Sequence, residues 1–134
     1  MVATTKGAHH IGLTVPDLMA TRNFFVDTLG FQQVGEVPDY PAIFVSDGRI
    51  MLTLWRANNP ERATPFDRKN IIGLHHFALK VENLAALKTL HQTLIDTPNV
   101  EIEFAPEPLG NGGAQHMMCY IPGGIRMEFI ATAS

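Results

Sequence analysis

Residues 9 to 15 alternate in character. Ile11, Leu13 and Val15 point one way, while His10, Gly12 and Thr14 point the other, which predicts a half-buried strand. Pro16 and Asp17 follow, and Asp17 reads as a helix N-cap. Leu18, Phe24, Phe25 and Leu29 then form an apolar stripe on a helix that Gly30 ends. Three more strands fit Phe31–Val37, Ala42–Ser46 and Ile50–Arg56, with Asp47-Gly48 turning the last hairpin. The same plan then returns. A strand covers about Leu74–Val81, a helix about Asn83–Asp96, and strands about Val100–Phe104, Gln115–Ile121 and Ile125–Ile130. Pro98-Asn99 stops the helix, and Pro122-Gly123-Gly124 turns the final hairpin.

The return is one of residues as well as of pattern. Ala8-His9-His10-Ile11-Gly12-Leu13-Thr14-Val15 is echoed 66 residues on by Leu74-His75-His76-Phe77-Ala78-Leu79-Lys80-Val81. The ends of the halves match at an offset of 75, which sets Thr53 against Glu128. A repeat of this period fixes the architecture: α+β, two tandem βαβββ modules forming a cup-shaped mixed sheet. The 134 residues make a single domain of module 8–57, linker 58–72 and module 73–131. Ala57–Asn70 is rich in Asn, Pro and charge, and Arg62, Arg68 and Lys69 within it read as solvated. A second polar, Gly-rich loop is expected at Pro106–Gly113. A module of this size buries little surface alone, so two modules, of one chain or of two, should share a core.

Composition narrows the class only slightly. The chain is 46% apolar with a formal charge of -3. It has no basic block for nucleic acid and no apolar run that would span a membrane. The segment from Met1 to Gly7 lacks the apolar core of a signal peptide. The single cysteine, Cys119, has no partner for an intrachain disulfide. A cytoplasmic setting is expected.

The helix of each module must cover one face of its sheet. Ile11, Leu13 and Val15 suit the covered face, as do Ile125, Met127 and Phe129. His10 and His76 then share the open side with Arg126, Glu128 and Ile130. Two imidazoles and a carboxylate on open faces make a 2-His-1-carboxylate set, suited to Fe(II), Mn(II), Zn(II), Ni(II) or Co(II). The structural alternative is a buried Glu128 neutralised by Arg126 on the same face. His9 and His75 are expected to be structural. A turn at Pro122-Gly123-Gly124 would pair Met118 with Glu128 and set His116, Met118 and Tyr120 on the same face. His116 is then a candidate general acid or base, or else a rim histidine without a role. Ile43, Val45, Met51 and Trp55 are expected to line the pocket from the first module, with Thr53 beside them.

The paired βαβββ pattern, the segments HHIGLTV and LHHFALKV, and the ending IPGGIRMEF resemble the vicinal oxygen chelate superfamily. That group comprises glyoxalases, bleomycin resistance proteins, extradiol dioxygenases, epimerases and fosfomycin-resistance transferases. The resemblance covers about residues 8 to 131. It implies one divalent metal ion per site, held by the second histidine of each pair and the carboxylate of the last strand: His10, His76 and Glu128. It also implies a small-molecule substrate, and a homodimer in which the first module of one chain completes a site with the second module of another.

Departures from the family pattern shape the expected reaction. Glyoxalase-like members carry a fourth ligand where this chain has Thr53, so three protein ligands are expected here. The catalytic tyrosine of the dioxygenases is replaced by Met118. Glu107 to Gly113, EPLGNGG, resembles the Gly-rich loop of the epimerases, and the intact ligand set argues against the bleomycin-binding class. The favoured expectation is a glyoxalase- or epimerase-like lyase or isomerase acting next to a carbonyl, with Glu128 or His116 moving the proton. The alternatives are an Fe(II) extradiol-type dioxygenase, a fosfomycin-transferase-like enzyme, or a non-catalytic small-molecule binding protein.

Overall fold

The computed structural model describes residues 1–133. The chain divides into two compact units, Met1–Ala63 and a second that begins at Thr64. Each unit is a four-stranded mixed sheet with one helical crossover, the α+β βαβββ plan read from the repeat.

In the first unit β1 (His10–Val15) leads into a helix, α1 (Leu18–Asn23), and then to β2 (Gln32–Val37), β3 (Ala42–Ser46) and β4 (Met51–Arg56). The sheet order is β1-β4-β3-β2. β1 runs parallel to β4, and the other pairings are antiparallel. Asp17 caps α1, accepting from the Ala20 amide at 3.0 Å. The helix is shorter than its apolar stripe predicts, because Phe24–Thr28 widens into a π-helical turn. Its amide–carbonyl bond runs from Leu29 back five residues to Phe24. Phe24 and Phe25, adjacent in sequence, are both buried by this turn, alongside Leu13, Val15, Val45, Leu52 and Leu54.

In the second unit β5 (Phe77–Lys80) leads into α2 (Leu84–Ile95) and then to β6 (Glu101–Pro108), β7 (Gln115–Tyr120) and β8 (Arg126–Ala131). The order β5-β8-β7-β6 reproduces the first sheet strand for strand. Asn83 caps α2 through the Ala86 amide at 2.9 Å, in the place Asp17 holds in the first unit. Leu87, Leu94, Met117, Cys119, Met127 and Phe129 form this unit's core. Desolvation pushes the Cys119 thiol up to about 12.

In the second unit two element boundaries differ from the pattern by more than one residue. β5 starts at Phe77 rather than Leu74, because Gly73 takes φ 141° and the chain bends at His75 before the strand begins. β6 continues through Pro106 to Pro108, into the stretch expected to be loop. Proline is tolerated there because β6 is an edge strand with register shifts on both sides of Phe104. The final turn is as the sequence requires. Gly123 and Gly124 both take φ 98°, a region closed to most side chains, and the turn pairs Met118 with Glu128.

Candidate metal and substrate site

Strand register decides which side chains share a face. In the second unit Ala78, Glu128 and Met118 lie side by side across β5, β8 and β7, with His116 and Ile130 forming the next pair. Their neighbours Phe77, Met127 and Cys119 take the opposite, core-facing parity. Glu128 is 8% exposed, and both of its carboxylate oxygens face imidazoles. His116 donates from Nδ1 to Oε2 at 2.5 Å, and His76 Nε2 lies 3.3 Å from Oε1. The His116 ring also packs on Phe104, with centroids 5.0 Å apart.

Arg126, which the structural alternative pairs with Glu128, is engaged elsewhere. It donates from Nε and Nη2 to the two oxygens of Glu103, at 2.8 and 2.9 Å. Tyr120 donates to the same carboxylate at 2.9 Å, and Arg68 at 3.1 Å. Arg68 also donates to the Tyr120 hydroxyl. Arg68 is therefore part of a charged network and not a solvated linker residue. The bidentate Arg126 fork holds the Glu103 carboxyl down to about 2. Glu103, on an edge strand and far from Arg126 in sequence, gives no sign of this pairing in the hydropathy pattern. Its capture of Arg126 leaves Glu128 a buried carboxylate whose ion-pair partners, among the described residues, are the histidines His76 and His116.

The first unit presents a different face. Thr53 lies opposite Gly12 on β1 and Phe44 on β3, the place Glu128 fills in the second unit. It is 4% exposed and accepts the Trp55 indole N–H at 2.8 Å. A side chain at Gly12 would place its Cβ 3.1 Å from the Thr53 hydroxyl, so glycine makes room for that bond. Trp55 stacks edge-on with Tyr40 at 4.5 Å and lies 5.9 Å from Phe44. Ile43 does not belong to this wall. The β3–β4 register sets it opposite Leu54 and Val45 opposite Leu52, on the core parity, and puts Phe44 in the position expected of Ile43. The cause is the four-residue connection Asp47–Ile50, which pairs Ser46 with Met51 and so fixes even β3 residues against odd β4 residues. Ile43 instead helps line a groove of about 720 Å³ with Asp17, Glu36, Pro41, Arg56 and Asn59, by the C-terminal end of β1. His10 stands at the other end of that strand.

His10 is exposed at the start of β1, and its Nδ1 lies 2.9 Å from His9 Nδ1. The pair His75–His76 repeats the contact at 2.7 Å. Of the sequence-derived site residues, Glu128, His76, His116 and Met118 are thus gathered in the second unit, and Thr53 and Trp55 in the first. Among the described residues no three His, Cys, Asp or Glu side chains are arranged to hold a metal ion. Among them, too, no helix is long and apolar enough to cross a membrane.

Two sheets of this topology, with paired histidines at matched points and a buried glutamate on the second, define a class of protein, and comparison with known proteins gives it a family. The chain belongs to the Glyoxalase/Bleomycin resistance protein/Dioxygenase superfamily, whose sequence profile matches residues 7–129. Among solved structures it is similar to a glyoxylase/bleomycin resistance protein/dioxygenase domain from a Frankia species, at 19% identity and a TM-score of 0.82, covering 97% of this chain and all of that one (100%). It is also similar to a lactoylglutathione lyase from Agrobacterium tumefaciens, at 20% identity and TM-score 0.71, covering 96% and 95% of the two chains. A genomically encoded fosfomycin resistance protein from Listeria monocytogenes shares 15% identity at TM-score 0.75, covering 97% and 96%. Identities this low establish the fold. Among curated proteins none matches the chain.

Proposed function

We propose that this chain is a divalent-metal enzyme acting on a small molecule next to a carbonyl, as a lyase or isomerase in the glyoxalase or epimerase manner. One observation carries the reading. Glu128 is a buried carboxylate whose oxygens face imidazole nitrogens, while the nearby arginine is bound to another acid. A buried anion without a fixed cation is costly, and a metal ion supplies the missing charge.

The donor chemistry fits such an ion. His76 Nε2 and Glu128 Oε1 face each other, and His10, with Nδ1 occupied by His9, keeps Nε2 for a ligand. His10, His76 and Glu128 would hold Zn, Ni, Co, Mn or Fe. The bound ion would polarise a substrate carbonyl and stabilise negative charge developing on its oxygen. The remaining work belongs to the chain. His116 donates its Nδ1 proton to Glu128, which makes its Nε2 the more basic nitrogen and the acceptor for the proton next to the carbonyl. Trp55, Tyr40 and Phe44 form an apolar wall for the substrate's carbon frame, and Met118 and Phe104 do the same around His116. A second copy of the chain completes each site, with His10 from one subunit and His76 and Glu128 from its partner copy. A cytoplasmic setting, resting on the lone buried Cys119, is part of this reading.

Elemental analysis of chelator-free wild type beside Glu128→Ala tests it, together with solvent deuterium exchange into α-hydroxy carbonyl and acyl-CoA compounds. The expected result is about one equivalent of Zn, Ni, Co or Mn per chain, lost in the variant, with exchange that needs no oxygen. Absence of metal even after reconstitution would overturn the metal reading. Stoichiometric iron with oxygen-dependent turnover would replace the lyase or isomerase by a dioxygenase.

A further inference from the structure

Adjacent side chains on a strand point to opposite faces. His9 precedes β1, and His75 and His76 both precede β5, so neither pair is held to that alternation. In both pairs the first histidine sits on a bend just ahead of the strand. The bend swings its ring back toward the second until the two Nδ1 atoms are 2.9 Å apart in one unit and 2.7 Å in the other. The rings meet edge to face in both cases, at interplanar angles of 82° and 71°. A contact made twice, at equivalent points of a repeat, is a constructed feature.

An Nδ1–Nδ1 hydrogen bond needs one proton, carried by one ring and accepted by the other. Which ring carries it decides what the second histidine can do with Nε2. If His76 holds the proton on Nδ1, its Nε2 is a free lone pair. If His75 holds it, His76 must be protonated at Nε2 and can only donate. Resting on the metal reading above, we infer that His9 and His75 are positioning residues. Each accepts the Nδ1 proton of the next histidine, fixing the ring and turning Nε2 of His10 or His76 into the nitrogen that meets a divalent cation. A ligand's outer hydrogen bond commonly performs this role, though a carbonyl or carboxylate is the usual acceptor.

The protons balance. If His76 carries its proton on Nε2 without the ion, 3.3 Å from Glu128 Oε1, the proton of the imidazole pair resides on His75. When a cation takes Nε2, one proton leaves His76 Nε2. The shared proton passes from His75 Nδ1 to His76 Nδ1. Solvent supplies one proton to Nε2 of the exposed His75. Both rings stay neutral and exchange tautomers together.

The test uses full-length, nitrogen-15-labelled protein and Zn(II) as the probe. Two-bond proton–nitrogen spectra of the imidazoles are recorded with and without Zn(II). Calorimetry gives Zn(II) affinity for wild type, for His9→Phe with His75→Phe, and for His9→Asn with His75→Asn. In the Zn(II) form we expect His10 and His76 protonated at Nδ1, and His9 and His75 at Nε2. The Phe pair should bind Zn(II) about 10–100-fold more weakly. The Asn pair, whose side-chain oxygen replaces the lost acceptor, should recover most of that loss. Unchanged affinity in the Phe pair, with wild-type circular dichroism, would overturn this inference and leave the metal site standing. Zinc bound through Nδ1 of His10 or His76 would do the same. A wild-type chain that binds no Zn(II) would sink the metal reading itself and the inference with it.

Discussion

Glu128 and Arg126 lie two residues apart on one face of β8, and their partners decide the character of the site. Had Arg126 turned to Glu128, the pair would be an ordinary structural ion pair. Instead Arg126 forks onto Glu103, and Tyr120 and Arg68 close the cluster around the same carboxylate. This pairing can be tested through its pH dependence. Glu103 titrates at about 2 in the fold against an ordinary 4.5, chiefly through the Arg126 hydrogen bond. The folded state therefore keeps Glu103 ionised where the unfolded chain protonates it. Its stabilisation is fully present above pH 4.5 and is lost as the pH falls through about 2. Glu103→Gln should destabilise by roughly 1–3 kcal/mol at neutral pH. Thermal melts of variant and wild type should converge between pH 4.5 and 2. A gap that stays constant across that window would show that the carboxylate charge is not what Arg126 uses.

Elements were legible in the sequence where the signal was local. Both helix caps are short-range devices, a side-chain oxygen accepting the amide three residues on; Asp17 was readable as a cap, but the pattern puts Asn83 inside its helix, where the structure makes it the cap. Asp17→Ala and Asn83→Ala should each cost about 1 kcal/mol, measured by urea unfolding. Their effects should add in the double variant, since each cap serves its own helix in its own unit. A combined loss no larger than either single loss would show that the caps are not independent. The register of Met118 on Glu128 was equally readable, because a tight glycine turn leaves one way to pair the strands. Ile43 was misplaced for the complementary reason. The longer connection Asp47–Ile50 sets the parity of β3 against β4, and alternation within a single strand does not reveal it. The bends at His9 and His75 were illegible because the side chains that meet there are neighbours, which a strand pattern places on opposite faces. The Arg126–Glu103 fork joins strands whose pairing needs the whole sheet.

At the scale of the whole molecule, the repeat supplies two copies of one frame with different chemistry. Thr53 and the Trp55, Tyr40, Phe44 wall occupy one open face, and Glu128, His116 and His76 the other. Neither face alone carries the full ligand set proposed here. His10 lies in the first unit, and His76 and Glu128 in the second. If a second copy completes each site, a dimer has two equivalent sites, and each draws a first unit from one chain and a second unit from the other. Mixing defective chains then becomes a decisive measurement. Refolded together in equal amounts, His10→Ala and Glu128→Ala chains should form mixed dimers in which both lesions fall on one site. The other site pairs an intact His10 with an intact Glu128. Half the dimers are mixed and half the sites of each mixed dimer are whole, so about a quarter of wild-type metal binding should return. Sites built within a single chain would stay defective in every dimer, and the mixture would bind no more metal than the two variants kept apart.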